Sequence, residues 1–209
     1  KWYACFSCEV EPKALPATGK SVGIDVGLEK FAALSDGAFV ENPRFFRKEE
    51  RSLAKAQRKL SKYPKGCRER HRAKKVVARV HERVRNRRHD FAHQLSRRIV
   101  NEHDVIAVEK LATDNMLKNH CLAKSIADAS WTMFRHCLSY KAESAGRRVV
   151  EVNPSYTSQD CSGCGYRAKK PLKERWHHCP MCGLSLDRDT NAAMNILRLG
   201  LQSLAGIPA

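Results

Sequence analysis

Apolar positions recur along this chain in two rhythms, and the changeovers between them outline its elements. The opening WYACFSCEV alternates well enough to read as a strand. SVGIDVGLEKFAALSDGAFVENP, residues 21–43, predicts a β-hairpin: its first strand is apolar, and Ser35-Asp36-Gly37 supply turn chemistry before a second strand. From Phe45 the period lengthens. Phe46, Leu53 and Leu60 fall at sevens with charges between them, in a helix that Pro64-Lys65-Gly66 breaks. Val77, Val80, Val84, Phe91, Leu95 and Ile99 then recur at threes, fours and sevens. Together these predict an antiparallel helical hairpin with a narrow apolar seam. DVIAVEKL (104–111) reads as a short buried strand, SIADASWTMFRHCLSYKAESAG (125–146) as a helix closed by Gly146, and RRVVEVNP (147–154) as a further strand. NAAMNILRLGLQSL (191–204) predicts a closing helix with Met194, Leu197 and Leu201 on its apolar side. The fold class is α/β.

Charge changes the meaning of the helical hairpin. Between Arg44 and Arg98 there are 21 Lys and Arg against 5 Asp and Glu, nearly the whole of the chain's net +17. Solvated helix faces usually mix signs, and this one does not. A polyanion is the expected partner, nucleic acid before an anionic membrane. On the hairpin, Arg58, Lys59, Arg72, Lys74, Lys75 and Arg79 are the candidate phosphate contacts. No apolar run approaches the ~18 residues of a membrane span, and no signal-peptide pattern is seen. The chain opens at Lys1 in mid-strand rather than at Met, so it is expected to be a fragment.

Nine cysteines, an odd number, do not make a disulfide scaffold. Metal-bound thiolates in a reducing compartment fit better, which places the protein in the cytoplasm. Cys161-x2-Cys164 and Cys179-x2-Cys182 are two thiolate pairs, each followed by a glycine that lets the backbone turn and bring N–H groups near the sulfurs. Four thiolates at tetrahedral geometry select one structural Zn²⁺ and leave no open position for water. His177 and His178 lie nearby but are not needed as ligands. The basic loop between the pairs carries Lys169, Lys170 and Trp176, a candidate nucleic-acid contact. Cys5, Cys8, Cys67, Cys121 and Cys137 are expected to serve packing, and the histidines of the basic helix to lie on its surface or seam.

Acids interrupt two of the apolar strands. Asp25 lies inside VGIDVGLEK and Glu109 at the end of VIAVEKL, while Asp187 and Asp189 open the last helix. A charge there is costly unless compensated, by a salt bridge or by a metal ion.

Taken together, GIDVG, VEKL, YTSQDCSGCG and CPMCG…DRDTNAAMNI resemble the RuvC-like nuclease half of the TnpB (OrfB) family of insertion-sequence proteins, relatives of the compact type V CRISPR effectors. The resemblance runs from about Ser21 to Leu201. It implies an RNase H-like (RuvC-like) fold with an inserted basic helical hairpin at about 44–102 and a four-cysteine zinc ribbon. The implied organisation is a remnant strand of an upstream wedge region at 1–17, the nuclease core at 18–158, the zinc ribbon at 159–186 and a closing core helix at 187–209. The family's catalytic acids fall on Asp25, Glu109 and Asp189, with Asp187 a near neighbour.

Such a set is implied to share two Mg²⁺ ions and hydrolyse DNA phosphodiesters, hard oxygen ligands suiting Mg²⁺ as thiolates do not. The partners implied are DNA and, in full-length members, a guide RNA, in a prokaryotic cell and near its nucleoid. The upstream region that grips guide and target is expected to be needed for targeting. Arg135 and Lys141 are further candidates for guiding a strand to the site. Two other readings remain: a basic zinc-ribbon nucleic-acid-binding fragment without independent catalysis, and a DDE-type transposase, whose acids would come in the order Asp, Asp, Glu.

Overall fold

The computed structural model describes residues 2–9, 11–168, 171 and 174–206. Three strands come first: β1 (Ser21–Val26), β2 (Lys30–Leu34) and β3 (Phe39–Glu41). Helices α1 (Phe45–Ser61) and α2 (Arg68–Glu102) follow, then β4 (Val105–Glu109), the short α3 (Thr113–Met116), α4 (Ala123–Ala129), α5 (Trp131–Ser144) and β5 (Arg148–Val152). A small ribbon of β6 (Trp176–His178) and β7 (Ser185–Asp187) leads into α6 (Arg188–Leu204).

Five strands form one mixed sheet in the order β3-β2-β1-β4-β5. β1, β2 and β3 pair antiparallel, whereas β1, β4 and β5 run parallel. Parallel neighbours need long crossovers, and the helices supply them. Alternation along β1 and β4 sends Val22, Ile24, Ile106 and Val108 to one face, where they meet Ala92, Leu95 and Ile99 of α2 and Phe134 and Leu138 of α5. Phe31 anchors this layer edge-on to Phe91 and Phe134, at 4.8 and 5.3 Å between ring centroids. The other face carries Ala107, Val150 and Val152 against Ile196 and Leu199 of α6.

α1 lies antiparallel along α2, with Leu53 and Ala56 buried in the seam beside Ala73, Val80 and Val84. Two acids tie the pair down. Glu49 meets Arg83 and Arg87 at 3.2 Å. Asp128, nearly fully buried, accepts from the backbone N–H of Phe46 at 2.9 Å and pairs with Arg88 at 2.8 Å. It thereby caps α1, whose own N-cap residue Arg44 offers no side-chain acceptor.

Four sequence expectations are corrected. Residues 2–9 form no strand and are exposed, Trp2 completely; their alternation finds no ladder to pair with. The expected hairpin is a three-stranded meander. The helix expected over 125–146 is two, α4 and α5, separated at Ser130 (φ 56); the break turns Ile126 and Trp131 into the same core. Finally, α6 does not bury Met194 and Leu201, which are 39% and 41% exposed; it buries Asn191, Ala192, Ala193, Asn195, Ile196 and Gly200. Small residues win because the helix presses onto the sheet. A side chain on Gly23 would come within 2.0 Å of the Ala193 carbonyl oxygen, and one on Gly200 within 2.6 Å of the Ala107 methyl.

Candidate active site and cysteine cluster

β1 and β4 pair in parallel with Ile24 opposite Val108. One residue on, Asp25 and Glu109 stand side by side at the C-terminal ends of their strands. Each lies two residues beyond Gly23 or Ala107, and so on the face that α6 covers. Clefts at this end of parallel strands are where α/β folds bind ligands. Asp189 lies one helical turn before Ala193, the residue that touches Gly23, and this brings it over Asp25. Burial pushes the Asp25 carboxyl well above the usual carboxylate range. The charges of Glu109 and Asp189, and then of Asp187, push it the same way, and Arg188 opposes them. Glu109 is also raised by burial, against the Thr157 hydroxyl, which donates to its Oε1 at 2.6 Å.

The four acids have different tasks locally. Asp187 is the N-cap of α6, and its Oδ1 accepts from the N–H groups of Asp189 (2.9 Å) and Thr190 (3.2 Å). Asp189 is met by two guanidinium groups, Arg188 at 3.3 Å and Arg175 at 3.7 Å, and Arg175 also holds Glu29 at 2.7 Å. Asp25, Glu109 and Asp189 are hard oxygen donors converging on one place.

The sulfurs of Cys161, Cys164, Cys179 and Cys182 all lie within 4.8 Å of one another and could hold a zinc ion. Backbone N–H groups, of Cys182 first and then of Met181, draw the Cys179 thiol down to about 6 against its burial. At Cys164 the Tyr166 N–H acts in the same direction but is outweighed by burial and the neighbouring sulfurs, which lift that thiol to about 12. His177 and His178 lie on β6 outside the cluster. Of the remaining cysteines only Cys137 is buried. Cys67 caps α2 by accepting from the Arg70 N–H, and Cys5, Cys8 and Cys121 are exposed, so they do not serve packing.

Buried amides join the two sites. Asn191 donates to the Asp160 carbonyl at 2.8 Å and accepts from the Ser162 N–H at 2.9 Å, gripping the loop around the first thiolate. Asn195 donates to the carbonyl oxygens of Thr157 and Asp160 at 2.9 and 2.7 Å. Thr157, Asn191 and Asn195 lie inside the motifs YTSQDCSGCG and DRDTNAAMNI, but the pattern gave them no role, and nothing in it singles out Arg175. Arg188 had one signal, its place between two aspartates.

Arg58, Lys59, Arg72, Lys74, Lys75 and Arg79 are all exposed along α1 and α2. Arg135 lies at the carboxylate end, paired with Glu151 at 3.4 Å and lining a small cavity beside Glu109. Lys141 does not face a substrate. It is buried, and its ammonium donates to the His93 carbonyl and the Ser96 hydroxyl, locking α5 to α2. Lys169 and Lys170 lie outside the described residues.

Residues 5–120 match the family model OrfB_IS605, described as "Probable transposase", and residues 131–196 match the "Cas12f1-like, TNB domain". A protein of Streptomyces pristinaespiralis named "Putative RNA-guided DNA endonuclease" is 42% identical over 207 residues, covering 98% of this chain and 51% of its own length. InsQ of Escherichia coli K12, which carries the same name, is 33% identical over 222 residues, covering 98% and 55%. Among solved structures, Cas12f1 in its complex with sgRNA and target DNA shares the fold at a TM-score of 0.61 and 18% identity, over 88% of this chain and 50% of that one. The chain thus spans about half the length of the curated relatives it matches.

Proposed function

This chain belongs to the OrfB family, and from that premise we propose that it is the DNA-cleaving half of a transposon-encoded, RNA-guided, metal-dependent endonuclease of RNase H-like (RuvC-like) architecture. The observation that carries the reading is the approach of Asp25, Glu109 and Asp189 from β1, β4 and α6, with Asp25 held well above the ordinary carboxylate range by burial and then by the charges of Glu109 and Asp189. A protein keeps mutually repelling acids at the mouth of a sheet where a divalent cation offsets them.

The donor set fits Mg²⁺: three carboxylates and no soft ligand. Asp25, Glu109 and Asp189 would hold it, and two such ions would supply an activated water and stabilisation of the leaving 3′ oxygen. The chain's own residues do the rest. Thr157 fixes one oxygen of Glu109, so that carboxylate keeps a single orientation. Asp187 commits its oxygen to the end of α6, so that Asp189, two residues further on, rather than Asp187 is the helix's carboxylate for the cleft. Arg175 and Arg188 give the otherwise anionic cleft two cations that suit a phosphate. In this reading Zn²⁺ in the cysteine cluster braces the wall of the cleft. The hairpin formed by α1 and α2, an insertion into the core, carries phosphate contacts that position without reading bases. DNA is the substrate, a guide RNA and the relatives' remaining half supply targeting, and the work is done in the cytoplasm at the nucleoid.

The test is cleavage of end-labelled single-stranded DNA with Mg²⁺ by the wild type and by Asp25→Ala. We expect cleavage by the first and none by the second, with binding and zinc content unchanged. If binding is tight and no cleavage occurs even with the relatives' upstream region restored, the chain is a nucleic-acid-binding module.

A further inference from the structure

The loop between β5 and Cys161 holds an aromatic ring in an uncommon way. Tyr156 has φ 67, the left-handed region that bulky residues avoid and that tends to persist where it serves a site. Asn153 builds the turn before it, its Oδ1 accepting from the N–H and the hydroxyl of Ser155 at 3.0 and 2.8 Å. The resulting ring is half exposed. The guanidinium of Arg167 lies over it, 3.7 Å from the centroid. Arg167 is itself fixed in two-pronged fashion by Asp160, at 2.6 and 3.0 Å. Ring and cation are therefore stacked before any ligand arrives.

This stack borders a groove of about 510 Å³ whose far wall is α6, with Arg198, Gln202 and Ser203. Both acids in the groove are committed, Asp160 to Arg167 and Glu151 to Arg135. Arg198 has no acidic partner among the described residues, only the Asn195 carbonyl oxygen at 3.4 Å. The groove also adjoins the carboxylate centre, because Thr157, next in the chain to Tyr156, is the residue that donates to Glu109.

An aromatic face with a cation, polar amides and hydroxyls, and an open slot match an unpaired nucleobase and its phosphate. A base inside a duplex has no free face to offer. We propose that Tyr156 and Arg167 form a stacking platform for one unpaired base of the strand to be cut, with Arg198 meeting the adjacent phosphate. Through Thr157 the platform sets the register of that strand against Glu109. The identity of the strand as substrate rests on the nuclease reading above; the stacking contact itself does not.

The experiment uses the full chain without divalent cations and single-stranded DNA carrying 2-aminopurine at successive positions, read by fluorescence and by salt titration. In the wild type, one position should be quenched more than its neighbours. Tyr156→Phe should keep both the quenching and the affinity. Tyr156→Leu should lose the quenching at that position and bind about 5- to 150-fold more weakly, the span of one base–aromatic stack. Arg198→Gln should lower the slope of log K against log salt by about 0.7. Far-UV circular dichroism and zinc content check that each variant is folded.

The platform is overturned if Tyr156→Leu binds with the wild-type affinity and quenching pattern. It is also overturned if binding of duplex DNA suffers the same loss from Tyr156→Leu. Cleavage that persists in Asp25→Ala while Tyr156→Leu loses its quenching sinks the nuclease reading and leaves the platform standing. Cleavage abolished by Asp25→Ala with Tyr156→Leu silent does the reverse.

Discussion

Gly23→Ala is a one-methyl change that should damage both fold and site, because β1 and α6 touch through backbone. The added carbon would stand 2.0 Å from the Ala193 carbonyl oxygen, 2.7 Å from the Leu197 nitrogen and 2.9 Å from the Leu197 β-carbon. The first two are helix backbone, so no rotamer change relieves them. To restore contacts of roughly 3.5 Å the helix must withdraw by about 1.5 Å. Overpacking of this kind costs ~1–3 kcal/mol, and a backbone clash belongs at the upper end. At about 2–4 °C per kcal/mol the melting temperature should fall by roughly 6–12 °C. The same withdrawal carries Asp189 away from Asp25. A displacement of about 1 Å at a catalytic centre can cost ~100-fold in rate, and Mn²⁺ affinity should fall with it. Urea denaturation and Mn²⁺ calorimetry measure the two effects. A Gly23→Ala chain with wild-type midpoint and wild-type Mn²⁺ affinity would refute the reasoning. Gly200 supplies the control: its added methyl would meet the Ala107 methyl at 2.6 Å, so Ala107→Gly should rescue Gly200→Ala and should not rescue Gly23→Ala.

Three further outcomes are expected. Asp25 is raised by burial and by the acids around it, so the fold favours its protonated form; stability from this group is full below its unfolded value of about 3.9 and is lost as pH rises through the raised folded value. Thermal melts in chelator should therefore show Asp25→Asn more stable than the wild type at pH 8 but not at pH 4, with Mg²⁺ narrowing the gap at pH 8. Cys161→Ser/Cys164→Ser should lose bound zinc, worth on the order of 10 kcal/mol to such a loop, and limited proteolysis should then cut between residues 159 and 187 while the sheet survives. Asp128→Ala removes the cap of α1 and strands Arg88, so chemical denaturation should show a loss of about 3–5 kcal/mol.

The sequence was most legible where chemistry broke a pattern. Asp25 and Glu109 stand out because acids do not belong in apolar strands, and the structure sets them side by side. The cysteine pairs were legible from spacing alone, and the four sulfurs do gather. Elements whose logic lies in close approach were not legible. The buried face of α6 is built from Asn191, Ala192, Ala193, Asn195 and Gly200, residues that a hydrophobic count passes over in favour of Met194 and Leu201. Lys141 reads as a surface cation, yet it is buried because a carbonyl and a hydroxyl wait for it. Residues 2–9 show the converse: alternation is a request for a neighbouring strand, and none answers among the described residues.

The order in which the chain is made adds a consequence to the placement of α6. Asp25 and Asp189 are 164 positions apart, so at roughly 5–20 residues per second about 8–30 s separate their emergence during synthesis. β1, β2 and β3 can form their meander early, and α2 can cover one face. The other face stays bare, and the carboxylate cleft has no third wall, until the last helix docks onto Gly23 and Ala107. A nascent chain therefore carries its acids unassembled through the whole of that interval, and the cleft forms only when α6 has been made.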